Sequence, residues 1–147
     1  MAPADRATTD PVLRDALSLR DRALVETAYA AGLRISELAA AALPSLDLRR
    51  GELRVLGKGR KERIGLLGRP AIAALEAYLA EGRPLLLERA VGVTPPPVEL
   101  FLNHHGVPLW VRGLRYRLDL LRRRAGLPPG VSPHTLRSEE HTSELQS

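Results

Sequence analysis

Apolar residues recur at three- and four-residue steps through most of the chain and alternate singly in one place only. Residues 1–9 are small and polar and are expected to be disordered. Asp10-Pro11 reads as a helix start, with the aspartate as cap and the proline in the first turn, where no N–H is needed. Ser18 reads as a second cap. From Leu19 to Ala31 the inward stripe is Ala23, Leu24, Ala28 and Ala31, which leaves Arg20, Asp21, Arg22 and Glu26 outside. Gly32 fits a C-terminal cap, Ser36 and Glu37 fit the first turn of a second short helix, and the pattern runs from Leu38 to Leu43 until Pro44 closes it. Ser45 to Arg50 is turn-like.

The alternating stretch is Glu52-Leu53-Arg54-Val55-Leu56. Gly57-Lys58-Gly59-Arg60-Lys61 interrupts it and Glu62 to Leu67 resumes it, which predicts a β-hairpin. Pro70 opens a helix with Ile72, Leu75, Ala77, Tyr78 and Leu79 on its apolar side; Gly82 is expected to end it, with Pro84 beyond. Leu85 to Ala90 is short and apolar, and the prolines of Val93 to Pro97 mark a surface connection. Leu100 to Asn103 reads as one more short strand, and His104-His105-Gly106 as a turn. Leu109 to Ala125 is helical, with Trp110, Leu114, Leu118 and Leu121 inward and Gly126 as its cap; Ser132-Pro133 starts a last helix. The expected class is α+β, mainly α.

Composition narrows this picture. The 147 residues are 44% hydrophobic and 27% charged, enough for one domain with a buried core. That core must be aliphatic, because the aromatics are few. Cysteine is absent, so no disulfide or thiolate site is available. Without a membrane-length apolar run or an apolar signal core, a cytoplasmic protein with no membrane partner is expected.

The net charge of +5 understates the basic character of the body. Three of the 17 acidic residues, Glu139, Glu140 and Glu144, lie in the last ten positions; residues 1–137 therefore set 22 basic groups against 14 acidic ones, a balance of +8. Six arginines, Arg112, Arg115, Arg117, Arg122, Arg123 and Arg124, share the last long helix with one acid, Asp119. A face for duplex DNA explains that imbalance economically, and an acidic protein partner is the alternative. At the hairpin tip Lys58, Arg60 and Lys61 either form a solvated turn or face an anion. Its glycines lack the spacing of a nucleotide P-loop. Arg34, at the helix corner and buried or half-buried, needs an anionic partner: Glu37 nearby, or two oxygens of a phosphate. His134 and Arg137 fall three residues apart on the first turn of the last helix. The four histidines have no ligand spacing, so neither a metal nor a cofactor is expected.

Together these groups make a phosphodiester clamp. Two guanidiniums can neutralise non-bridging oxygens, a lysine can protonate a leaving alkoxide, and a histidine can move a proton on the attacking side. The chain resembles the catalytic domain of the tyrosine recombinase, or phage integrase, family, and most closely its branch that resolves bacterial chromosome dimers. The resemblance lies in Gly32-Leu33-Arg34-Ile35-Ser36-Glu37-Leu38, in Gly57-Lys58-Gly59-Arg60-Lys61-Glu62-Arg63 and in Ser132-Pro133-His134-Thr135-Leu136-Arg137, and spans about residues 19–137. It implies a helical bundle with a small antiparallel sheet to one side. It also implies that Arg34 and Arg137 grip the scissile phosphate, that Lys58 is the general acid for the 5′ oxygen, that His134 assists proton transfer and that Glu37 orients the corner. Partners by the same resemblance are double-stranded DNA and a recombinase tetramer on two DNA sites.

The chain also departs from that pattern. Ala31 stands where the family usually has threonine, and beyond Arg137 the family expects a nucleophilic tyrosine where this chain has Ser138 to Ser147. Those last ten residues resemble the translation of a sequencing-library adapter and are expected to be foreign. The organisation expected is a partial N-terminal segment over 1–18, an incomplete catalytic domain over 19–137 and the tail at 138–147, inactive by itself for want of a nucleophile. Tyr116 precedes the histidine motif, and packing or phosphate contact suits it better. The alternative function is a non-catalytic DNA-binding module or decayed integrase that uses the same basic surface.

Overall fold

Asp10 begins the first helix by accepting the N–H groups of Val12 at 3.0 Å and Leu13 at 3.4 Å, while Pro11 occupies the position that has no N–H to satisfy. The computed structural model describes residues 10–92 and 94–126. Helix α1 (Pro11–Ala31) runs unbroken through Ser18, which is therefore an interior residue and not a second cap. One turn later comes α2 (Ile35–Ala40); it stops at Ala40, short of the expected Leu43, and Pro44 lies in a separate tight turn over Leu43–Ser45.

The hairpin has the expected bounds, β2 (Glu52–Leu56) against β3 (Glu62–Leu66), antiparallel with Val55 opposite Arg63. A short strand β1 (Leu46–Asp47) adds to the other edge of β2, where the sequence reads only as a turn. Two residues are too few to show alternation. Leu53 and Val55 face the core, and Gly65 lies over the end of α1, where a Cβ would come within 2.9 Å of the Ala31 Cβ.

Helix α3 (Arg69–Ala77) does not end at Gly82. It continues through one wide turn, Tyr78–Gly82, into α4 (Arg83–Glu88). Gly82 serves a close approach instead: a Cβ there would lie 2.9 Å from Tyr78 Cδ1 and 3.2 Å from the carbonyl oxygen of Ala16 on α1. Among the described residues, the segment 97–102 forms isolated bridges, Ala42 with Glu99 and Leu102 with Pro108, and not the further strand expected. Side chains hold it in place. Arg83 donates to the carbonyls of Pro97 and Glu99, both at 2.7 Å, and Tyr78 donates to Leu100 O at 2.7 Å while accepting the N–H of Leu102 at 3.2 Å. The last described helix is α5 (Val111–Arg124).

The core is aliphatic, as expected, and is built from Leu17, Leu24, Leu38, Leu53, Leu75, Leu86 and Leu114 around Tyr78 and Phe101. Each such leucine contributes about 1.5–3 kcal/mol on burial. Arg20 is an exception to the pattern read from the sequence: it is fully buried, not outside. Position 20 lies three residues after Leu17 and four before Leu24, so helical geometry puts it on the inward stripe. Among the described residues no helix is long and apolar enough to cross a membrane.

Candidate nucleic-acid interface

The corner between α1 and α2 is set by Gly32, whose φ of 59° and ψ of 43° are left-handed. Leu33 then drops into the core and Arg34 takes an extended conformation as the N-cap residue of α2. Its N–H donates to Glu37 Oε1 at 2.8 Å. The Arg34 side chain itself is exposed, contrary to the buried or half-buried position read from the sequence. Nor is Glu37 its ionic partner. The buried Glu37 carboxylate is engaged from β3 by Arg63, with Nη2 2.8 Å from Oε1 and Nε 3.3 Å from Oε2, and Nη2 also reaches the Gly32 carbonyl at 3.5 Å. Among the described residues no carboxylate pairs with the Arg34 guanidinium.

The same carboxylate marks where the hairpin meets this corner. Gly57, the residue before Lys58, would place a Cβ 3.4 Å from Glu37 Oε2. The tip is a tight turn over Lys58–Arg60, closed by the Gly57 N–H to Lys61 O at 2.8 Å, with Gly59 at φ 75° and Arg60 at φ 62°. Arg60 and Lys61 are exposed. Arg34 and Gly57, the residue before Lys58, thus flank one buried acid. His134 and Arg137 lie outside the described residues.

On α5 the six arginines separate into two groups. Arg112, Arg115, Arg123 and Arg124 are exposed, and Arg122 is half-buried. Asp119 pairs with Arg122 and, at 3.3 Å, with Arg123; the Arg122 hydrogen bond holds its carboxyl below the usual carboxylate range. Arg117 is no surface residue, which corrects the DNA-contacting role read for it. It is buried, with Nη2 2.6 Å from Asp21 Oδ2, while Arg20 holds the other oxygen of Asp21 at 2.7 Å and donates to Leu102 O at 3.2 Å. Residue 117 falls between Leu114 and Leu121 on the core stripe, and Asp21 across on α1 makes its burial tolerable. Stripe position, not side-chain chemistry, was the signal that separates Arg117 from Arg112 and Arg115. Trp110, read as inward, is 59% exposed at the N-cap of α5, and Tyr116 is exposed beside the arginines.

The profile of the phage integrase family matches residues 6–145. Among curated relatives, the tyrosine recombinase XerC of Pelotomaculum thermopropionicum is 46% identical over 137 residues, which cover 93% of this chain and 44% of that protein. XerD of Halalkalibacterium halodurans is 39% identical over 137 residues, with 93% of this chain and 44% of that protein covered. The chain spans less than half the length of these relatives. Among solved structures, XerA recombinase superposes with a TM-score of 0.67 at 26% identity, covering 91% of this chain and 47% of that one. XerH site-specific recombinase, bound to its difH substrate before cleavage, gives 0.63 at 25% identity over 90% of this chain and 36% of that one.

Proposed function

The chain belongs to the phage integrase family, on its Xer-like branch, and from that membership we propose that it supplies the phosphate-gripping part of a site-specific DNA recombinase. The observation that carries the reading is the state of Arg34. Arg34 stands exposed at a rigid corner, its neighbour Glu37 is taken by Arg63, and the lysine hairpin packs against the same acid. Such an arginine is available to an anion without first breaking an internal pair.

In this reading Arg34 and Arg137 neutralise the non-bridging oxygens of a scissile phosphate. A tyrosine oxygen attacks phosphorus, the bond to the 5′ oxygen breaks, Lys58 gives that oxygen its proton, and His134 assists transfer on the attacking side. Exposed Arg112, Arg115, Arg124, Arg60 and Lys61 hold the duplex through its backbone. None of the chain's three tyrosines is the nucleophile. Tyr78 is buried, with its hydroxyl pushed up to about 12 by desolvation. Tyr29 is half-buried and likewise raised by burial, against the lowering effect of Arg122. Tyr116 lies on the backbone-holding face of α5.

The test is to incubate the protein with a nicked duplex at low salt. The duplex should be retarded on a native gel, and a denaturing gel should show no covalent adduct. Absence of retardation would refute the DNA reading; an adduct abolished by Tyr116→Phe would refute the nucleophile assignment.

A further inference from the structure

We infer that Arg63 is a positioning residue that keeps Arg34 free for a phosphate, by occupying the Glu37 carboxylate that would otherwise close on Arg34. The inference rests on the phosphate-gripping role proposed for Arg34. Glu37 is 4% exposed in its side chain, and a carboxylate that far from water must be paired. It already accepts the Arg34 backbone N–H at 2.8 Å, and Arg34, three residues before it, is the cation nearest to it in sequence. What takes the acid instead is a guanidinium from β3, the strand that leaves the lysine turn, approaching both oxygens at 2.8 Å and 3.3 Å. A planar fork suits this task and a lysine would not, because two parallel donors are needed to fill both oxygens.

The arrangement has a mechanical side as well. Arg63 also reaches the Gly32 carbonyl at 3.5 Å, so one side chain ties β3 to the corner that carries Arg34. Gly57, just past the end of β2, lies against the same acid, since a Cβ there would be in ordinary contact with Glu37 Oε2 at 3.4 Å. One ion pair therefore sets the corner and the hairpin in register and removes the competitor of the phosphate.

The test follows the Arg34 Nε–Hε resonance by NMR during titration with inorganic phosphate, with Arg34→Lys to assign it. Arg63→Met should shift that resonance before any phosphate is added and weaken the phosphate response roughly two- to fivefold, the range of an exposed ion pair. Adding Glu37→Gln, which keeps an oxygen for the Arg34 N–H, should restore the response to within about twofold although Arg63 is still missing. A purely structural Arg63 predicts the opposite, a double variant at least as impaired as the single one. An unchanged response in Arg63→Met, or no rescue in the double variant, overturns the inference while Arg34 still answers phosphate in the parent. If the parent resonance ignores phosphate, the Arg34 reading itself fails and takes the inference with it. Should Arg63→Met not fold, Arg63→Lys replaces it, with a smaller loss and the same rescue expected.

Discussion

Glu37 gives its carboxylate to Arg63, 26 residues away in sequence and 2.8 Å away in space, and offers Arg34 only an acceptor for its backbone N–H. Two structural duties thus meet in one side chain. Glu37→Ala removes the cap of α2 and strands Arg63, and should destabilise the protein by about 2–3 kcal/mol, less than a fully buried pair because Arg63 is partly solvated. Glu37→Gln keeps one acceptor and should cost roughly half as much. Denaturant midpoints at unchanged slope are the measurement.

Asp21 stands between two buried arginines, Arg20 and Arg117, on facing helices. Asp21→Ala leaves two guanidiniums without that partner in the core and should lose about 3–5 kcal/mol. Arg117→Ala should also destabilise, whereas Arg112→Ala should leave the melting temperature nearly unchanged and weaken duplex binding. Calorimetry beside a DNA titration separates the two arginines; the reverse pattern would mean that their burial is misassigned.

Tyr78 couples stability to alkaline pH. Its folded pKa, raised to about 12 by burial, exceeds the unfolded value near 10, so the folded state keeps a proton that the unfolded state has lost between those limits. Its contribution is complete below pH 10 and fades as pH rises toward 12. Tyr78→Phe should be less stable at neutral pH by about 1–3 kcal/mol, since Leu100 O and Leu102 N lose their partner, and should show a flatter decline above pH 10. Unfolding curves across that range check both effects.

Trp110 is the protein's single tryptophan and is exposed at the start of the arginine-rich helix. If α5 meets DNA, duplex should change Trp110 emission and shield it from acrylamide. The change should saturate with the affinity found from labelled DNA. Emission indifferent to bound duplex would move the contact to another face.

Much of this was legible because local chemistry and tertiary demand coincide. Asp10 caps and Gly32 turns for reasons contained within a few residues, and the hairpin announces itself through alternation between glycines. The misreadings arise where a distant partner decides. Gly82 reads as a stop, but its need is the nearby Ala16 carbonyl on another helix. Arg20 and Arg117 read as surface because they are charged, yet each sits on its helix's apolar stripe and Asp21 balances both. Glu37 lies so close to Arg34 in sequence that its true partner, Arg63, is hidden until β3 is folded back.

The most direct measurement is the affinity for duplex DNA across a salt series, for the protein and for its Arg112→Ala, Arg115→Ala double variant. Log affinity should fall linearly with log salt, with a slope shallower in the variant by about 1.8, or about 0.9 for each phosphate contact removed. Affinity that ignores salt, or slopes that coincide, would contradict this expectation.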